Sequence, residues 1–216
     1  GHLIKGLSLL AENRTQSGIA ELRKAIELDP KRPTPYVELA RAYAQQRNFS
    51  EAETVLRESL QRNPQSSETR MVLGDVLAAA GKESEAGKEY QRGLEVDRTN
   101  GALYLRLAAH SHKAHRTDEA EGFYRQWIDV QPRNVQAYIA LAQFYVASGR
   151  WKEAEKSYLD AKGADPSSRL AQEALITFYL DTNQMKEAGA EIDSLLKENQ
   201  KDVAARVLQA RWMLEQ

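Results

Sequence analysis

The sequence predicts an all-α fold, built from short antiparallel helices that stack one after another along the chain. Three observations predict it: a composition rich in helix-forming residues, only 6 prolines and 12 glycines in 216 residues, and a sequence period of about 34 residues. Alanine, leucine, glutamate, arginine, lysine and glutamine favour helices because their side chains lose little freedom there. The period is the most informative observation, since self-similarity at a fixed spacing indicates a repeat architecture.

A column of prolines defines the period. Four similar segments, "KAIELDP", "ESLQRNP", "QWIDVQP" and "DAKGADP", end at Pro30, Pro64, Pro132 and Pro166. Successive prolines are separated by one period, two periods and one period, and Arg98 in "RGLEVDR" occupies the skipped position. Because proline has no backbone N–H and restricts the residue before it, each of these positions is predicted to end a helix.

A column of small residues has the same period. It consists of Gly18, Ala52, Ala86, Ala120, Ala154 and Ala188. Two helices approach to about 8–10 Å only where small side chains face each other, so this column predicts close helix pairs. Gly81 and Gly149 lie between the two helices of a pair, where glycine accepts a left-handed conformation. Each repeat is therefore predicted to be a helical hairpin that buries its apolar face against its neighbours.

This pattern resembles the tetratricopeptide repeat, in which each repeat of about 34 residues is a helix–turn–helix unit. Its small eighth position is matched by Gly6, Ala40, Gly74, Ala108, Ala142 and Ala210, and its leucine position by Leu39, Leu73, Leu107, Leu141 and Leu175. The resemblance implies a right-handed α-α superhelical solenoid that forms a single domain over residues 1–216. Its repeats are predicted at about 1–32, 33–66, 67–100, 101–134, 135–168 and 169–202, with a terminal helix at 203–216.

Three of the four histidines lie close together in "HSHKAHRTDEAE", at His110, His112 and His115. Successive helical residues rotate by about 100°, so His110 and His112 point to nearly opposite sides. A zinc ion needs three or four ligands that converge on one point, and this spacing does not provide them. We expect no metal, cofactor or catalytic site, with His110 and His115 at the surface or in a turn.

The composition argues against several other classes of function. The 30 basic and 31 acidic residues give no basic face of the kind that binds DNA, or that an RNA-reading helical repeat needs. No apolar run is long enough to cross a bilayer, so no membrane insertion is expected. The absence of cysteine excludes disulfides and thiol chemistry. It leaves the compartment open, since such a chain suits both cytoplasm and bacterial periplasm.

The resemblance implies a concave groove, lined by the first helices, that receives an extended or helical segment of a partner protein. The corresponding residues are Val37, Glu38, Arg41, Gln45, Met71, Val72, Asp75, Leu105, Arg106, His112, Lys113, Ile139, Gln143, Val146 and Thr177. They predict an aliphatic floor with a modest basic centre at Arg41, Arg106 and Lys113. Family members that bind acidic chaperone tails use a Lys/Asn/Asn/Lys/Arg clamp. Only Arg106 matches it, so that ligand is not expected.

Both end helices are apolar nearly all round. Their apolar residues include Leu3, Leu7, Leu10, Val207, Leu208, Trp212 and Met213. A helix that is apolar on all sides is expected to be buried. Two hypotheses follow: the chain is a fragment of a longer repeat protein, or its ends form a self-association interface that produces a homo-oligomer.

We therefore expect a non-catalytic scaffold that binds a protein or peptide segment in its groove. The alternative is a structural assembly module that self-associates through its end helices. Uninterrupted repeats with "ELDP"-like endings are similar to those of bacterial proteins of envelope assembly, pilus biogenesis and polysaccharide export. That similarity lies at the level of the fold, which does not determine function.

Overall fold

The computed structural model describes residues 1–215. Within this range the chain forms thirteen α-helices and no β-strand, which confirms the predicted all-α class. The helices are α1 (His2–Ala11), α2 (Thr15–Leu28), α3 (Pro33–Gln45), α4 (Phe49–Arg62), α5 (Ser67–Ala79), α6 (Glu83–Val96), α7 (Gly101–Lys113), α8 (Thr117–Val130), α9 (Val135–Ala147), α10 (Trp151–Ala164), α11 (Arg169–Asp181), α12 (Met185–Glu198) and α13 (Val203–Glu215).

The helix boundaries repeat with the sequence period. From α3 onward, every odd-numbered helix begins one period after the previous one, and so does every even-numbered helix from α2. Side chains before several odd-numbered helices cap backbone N–H groups: Asn100 accepts from Ala102, and Ser66 accepts from Thr69. These caps satisfy donors that a helix leaves unpaired at its start, so they help to determine where those hairpins begin.

A left-handed residue lies between the two helices of every hairpin. This turn column consists of Asn13 (φ 60°), Arg47 (62°), Gly81 (79°), His115 (57°), Gly149 (69°) and Asn183 (58°). The predicted left-handed glycines, Gly81 and Gly149, are confirmed. This conformation costs a residue with a side chain about 1–2 kcal/mol, and it costs asparagine less than most. At Arg47 and His115 the hairpin therefore imposes a conformation that the local sequence does not favour.

The proline column has a second role, because its carbonyl groups anchor the next repeat. Each accepts a hydrogen bond from the side chain six residues later: the Tyr36 hydroxyl donates to Pro30 O at 3.2 Å, and the Tyr138 hydroxyl to Pro132 O at 3.0 Å. The Tyr104 hydroxyl donates to Arg98 O at 3.0 Å. The anchoring bond thus persists where the proline is missing, since it needs only the carbonyl.

Small residues hold the paired helices close together. A Cβ atom added to Gly74 would lie 2.3 Å from Cε1 of Tyr90, and one added to Gly18 would lie 2.8 Å from Cδ2 of Leu10. The alanines of the small column are fully buried: Ala52, Ala86, Ala120, Ala154 and Ala188. Since the backbones approach this closely only where Cβ is absent or a single methyl, the small column accounts for the hairpin geometry.

The helices group into two compact units, Gly1–Arg116 and Thr117–Gln216. In the N-terminal unit α1 to α7 pack on one another in chain order, and α3 also contacts α5. In the C-terminal unit α8 to α13 do the same, and α9 also contacts α11. The single continuous domain and the right-handed superhelix stay predictions. No helix of residues 1–215 has the length and apolar character that a bilayer crossing requires.

Candidate functional site

An open pocket of about 500 Å³ lies in the N-terminal unit, where α3 and α5 run side by side. It is called the α3–α5 pocket, and its lining is Arg41, Ala44, Gln45, Arg47, Phe49, Val72, Asp75, Val76 and Ala79. Four of these belong to the predicted groove: Arg41, Gln45, Val72 and Asp75. The structure therefore brings part of the predicted groove together in one concave site.

Helix periodicity explains which side chains meet in this pocket. On α5, Val72, Val76 and Ala79 are spaced by three or four residues and share one face. The two valines are buried and form the floor, while Ala79 is too short to fill the space above them. Phe49, at the start of α4, is exposed enough to add an aromatic wall. The pocket can therefore receive an apolar side chain of a ligand.

Asp75 is held firmly in the wall of the pocket by three donors. The Arg106 guanidinium donates from Nε to Oδ1 at 2.7 Å and from Nη2 to Oδ2 at 3.3 Å. The Tyr90 hydroxyl donates to Oδ1 at 2.9 Å. The hydrogen bond to Asp75 raises the pKa of Arg106, whereas burial, followed by the Asp75 charge, raises the pKa of Tyr90. The negative charge of Asp75 is therefore compensated by Arg106, and little of it is available to a ligand.

The other two cations of the predicted basic centre are also paired. Arg41 Nη1 donates to Glu38 Oε1 at 2.5 Å, one helical turn away. Lys113 donates to Glu83, and this hydrogen bond lowers the pKa of Glu83. The predicted basic centre is thus corrected: a carboxylate accompanies each of its three cations. Arg106 and Asp75 are 31 residues apart, and Lys113 and Glu83 are 30 residues apart, which is about one repeat. Searching for charge pairs three or four residues apart on one helix therefore does not find them.

Arg47 differs from these cations. It lies in the turn between α3 and α4 and lines the pocket, and no carboxylate of residues 1–215 pairs with it. Its backbone is left-handed, with φ at 62°. The pocket lining thus contains two arginines and one aspartate, and the charge of Arg47 is the one left uncompensated.

The remaining predicted groove residues lie outside the α3–α5 pocket. Val37 is fully buried and Ile139 nearly so, so both contribute to the core and present little surface to a ligand. The others are exposed or half-buried: Glu38, Met71, Leu105, Arg106, His112, Lys113, Gln143, Val146 and Thr177. Of all these residues, the C-terminal unit contains Ile139, Gln143, Val146 and Thr177.

The three clustered histidines have separate environments. His110 packs over Gly87, where its Nε2 is 2.8 Å from the place a Cβ would occupy, and its Nδ1 is 3.4 Å from Oε2 of Glu83. His112 is exposed, and His115 is the left-handed residue of its hairpin turn. Among residues 1–215, no group of three metal-ligating side chains is placed to hold an ion.

The apolar end helices are largely exposed in the structure. In α13 only Ala205 is buried, while Val207 and Met213 are 63% and 66% exposed. Trp212 is the exception, because its ring packs on Gly189 and its Nε1–H donates to Met185 O at 2.7 Å. Leu208 is half-buried. In α1, Leu7 is exposed, Leu3 and Leu10 are half-buried, and Leu10 packs on Gly18.

Stacked helical hairpins with an open pocket on the first helices define an α-helical repeat protein, an all-α solenoid by class. The tetratricopeptide repeat model matches residues 9–67, 45–111 and 111–175, so this chain belongs to the tetratricopeptide repeat family. Proteins of this family are generally protein-interaction scaffolds and typically non-catalytic.

Comparisons with individual proteins agree with this family. Over 86 residues, 40% of the chain, the sequence is 34% identical to small glutamine-rich tetratricopeptide repeat-containing protein 2 of Mycosarcoma maydis. The match spans about a quarter (24%) of that relative's length. Pseudomonas aeruginosa PilF has a similar structure, with a TM-score of 0.61, 15% identity and coverage of 97% of this chain and 95% of its own. YrrB, described as a tetratricopeptide repeat protein with an unusual peptide-binding site, has a TM-score of 0.50 and 16% identity, and the alignment covers 88% of this chain and 97% of YrrB.

Sequence reasoning missed four lining residues of the pocket: Ala44, Arg47, Phe49 and Val76. Ala79 is a groove position that the family resemblance implies, and it does line the pocket. Arg47 was detectable, because glycine or asparagine occupies four of the six places in the turn column. An arginine in such a column contradicts the local preference and indicates a role for its side chain. The other three are ordinary helix residues, so only the structure shows that they share a surface.

Proposed function

We propose that this chain is a non-enzymatic interaction scaffold that binds a segment of a partner protein, with the α3–α5 pocket as the anchoring site. The open pocket of about 500 Å³ carries this proposal, because its volume and its apolar floor with a charged rim are typical of ligand sites. The family supports it, as does the peptide-binding site named for YrrB. We further propose that the chain is one continuous solenoid from a longer repeat protein.

The energetics of such a site favour one dominant anchor. Burying a Leu, Phe or Met side chain contributes about 1.5–3 kcal/mol, which the valine floor and Phe49 can provide. Gln45 is exposed at the rim and offers both donors and an acceptor to the main chain of a ligand. The other exposed groove residues extend the contact along the segment.

A library of displayed random peptides, selected on the wild-type protein, would test this function. The enriched peptides are then measured by fluorescence anisotropy against Ala79→Trp, which fills the pocket from its exposed edge. Ala20→Trp is the matched control, since Ala20 is an exposed helical alanine away from the pocket. We expect at least a tenfold loss of affinity for Ala79→Trp, about 1.4 kcal/mol, and no change for Ala20→Trp. Equal affinities for the two variants would contradict the proposal.

Self-association through the end helices is the second candidate, and the exposure of α13 favours it. Leu214 is 88% exposed and Met213 is 66% exposed. Neighbouring apolar side chains this exposed are typical of an interaction surface. Met213→Asp tests this interface better than a Trp212 variant, because Trp212 supports the packing of α13 on α12. A wild-type dimer that Met213→Asp converts to monomer in analytical ultracentrifugation would support it. A wild-type monomer would contradict it.

A further inference from the structure

Arg47 occupies a position where its backbone is strained and its side chain has no carboxylate partner among residues 1–215. Glycine at this place would adopt a φ of 62° without strain, as Gly81 and Gly149 do at the equivalent turns. Strained residues persist where the surrounding structure imposes them, and they cluster at functional sites. The turn alone does not require an arginine, so the reason for one lies in its side chain.

The surroundings of Arg47 limit what that side chain can do. Asp75 already accepts hydrogen bonds from Tyr90 and Arg106, and Glu38 already accepts one from Arg41. Within residues 1–215, Arg47 is therefore a cation without a carboxylate partner, and it is one of the residues that line an apolar pocket. A ligand carboxylate beside that pocket would find a partner without breaking an existing ion pair.

We propose that Arg47 is a specificity-determining residue of the α3–α5 pocket, which selects partner segments with a bulky apolar side chain next to a carboxylate. This inference rests on the proposed peptide-binding function. The apolar side chain packs on the valine floor and Phe49, and the neighbouring Asp or Glu of the ligand accepts hydrogen bonds from the guanidinium. Arginine suits this role better than lysine, because its planar group donates two parallel hydrogen bonds to one carboxylate.

The C-terminal unit contains a natural comparison for this residue. Three repeats later the turn residue is Gly149, which has no side chain, and Phe49 is replaced by Trp151. The same backbone turn is thus built without a cation. Arg47→Gly recreates that turn in the N-terminal unit and removes only the side chain to which specificity is assigned.

The test uses displayed random peptides, selected separately on wild type and on Arg47→Gly. Wild type should enrich Asp or Glu adjacent to Leu, Ile, Phe or Trp, and Arg47→Gly should not. The best wild-type peptide is then synthesised with its acidic residue and with the matching amide. For wild type the acidic peptide should bind about fivefold more tightly, the effect of an exposed ion pair, and high salt should reduce this difference.

The variants separate specificity from folding. Arg47→Gly should raise the melting temperature while losing the preference for the acidic peptide, and Arg47→Lys should retain part of that preference. A merely structural arginine would show neither effect. Equal binding of the acidic and amide peptides by wild type would overturn the inference, as would an unchanged preference in Arg47→Gly.

The failure of this inference is distinguishable from the failure of the proposed function. If Ala79→Trp abolishes binding but Arg47→Gly leaves the preference intact, the pocket binds ligands and the role of Arg47 is wrong. If no peptide is enriched above the Ala79→Trp background, both are wrong. A wild-type dimer that Arg47→Gly dissociates would show a second copy in the pocket and would overturn the assignment to a partner segment.

Discussion

The two units place different side chains on the same helical framework. A shift of three repeats relates the α3–α5 pocket to the matching surface of α9 and α11. The matched pairs are Arg41 and Gln143, Ala44 and Val146, Gln45 and Ala147, Arg47 and Gly149, Phe49 and Trp151, Val72 and Ala174, Asp75 and Thr177, Val76 and Phe178, and Ala79 and Asp181. The N-terminal version has two arginines and an aspartate around small residues, whereas the C-terminal version has larger apolar side chains and a 53% exposed Trp151.

The comparison shows which residues determine shape and which determine chemistry. The small column, the anchoring carbonyls and the left-handed turns recur in both units, so they specify the hairpins. The positions that face solvent on the first helices vary freely, because helix packing does not constrain them. Ligand preference is therefore expected to differ between the units although their backbones follow one plan.

The largest effect is expected from enlarging the closest helix contact of the N-terminal unit. Gly74→Ala would place a methyl group 2.3 Å from the buried Tyr90 ring, where the matching C-terminal residues are Ile176 and Ile192. We expect a net loss of about 1–2 kcal/mol, overpacking outweighing the helix preference of alanine. Urea unfolding of the variant and the wild type measures this loss of stability. The double variant Gly74→Ile/Tyr90→Ile, which copies the C-terminal pair, should be more stable than Gly74→Ile alone. A Gly74→Ala protein as stable as wild type would show that the ring can move.

Substitutions at turn-column residues should change the free energy of unfolding in opposite directions in the two units. Gly149→Ala should cost about 1 kcal/mol through backbone strain alone, since an added Cβ meets nothing within 4 Å. Arg47→Gly should stabilise by up to about 1 kcal/mol because it relieves that strain. Denaturation midpoints provide both values. The same sign for both changes would mean that side-chain contacts outweigh the turn conformation.

Removing an anchoring hydroxyl should have a similar or smaller effect on the free energy of unfolding. Tyr104→Phe and Tyr138→Phe each delete a bond of 3.0 Å to the carbonyl of the proline column. We expect a loss of about 1 kcal/mol for the buried Tyr104, where the proline is replaced by Arg98, and less for the more exposed Tyr138. Thermal melts of the two variants give the ranking, and a larger loss at Tyr138 would contradict it.

Acid should weaken a specific contact of the N-terminal unit. Hydrogen bonds from His2 and Lys5 lower the pKa of Glu21 from 4.5 to about 2. Because the folded value lies below the unfolded one, the contact stabilises the fold above about pH 4.5 and is lost as the pH falls towards 2. Glu21→Gln should therefore melt earlier than wild type at neutral pH, with the difference vanishing near pH 2. The exposed Glu27→Gln on the same helix is the control, and a difference that does not depend on pH would exclude this ion pair as the cause.

The sequence predicted the architecture because the features that build it recur with the period. Prolines, small residues and Gly81 occupy fixed columns, and each has a clear physical reason for its place. The pocket was only partly predictable. Arg41 and Asp75 were found by their register. The contact that compensates Asp75 joins α5 to α7, so sequence spacing does not find it, whereas Arg41 pairs with Glu38 on the same helix. Arg47 was missed because hydrophobic pattern and helix preference do not mark turn residues. Its only sequence signal is that it stands in a column where glycine or asparagine is usual.

The most direct test of the central claim is NMR mapping of a selected peptide on the isotopically labelled wild-type chain. The account predicts chemical-shift changes concentrated at Arg41, Arg47, Phe49 and Val76 of the α3–α5 pocket. The matching surface around Trp151 should remain unchanged. Changes centred on Trp151 or on the exposed residues of α13, with none in the pocket, would contradict it.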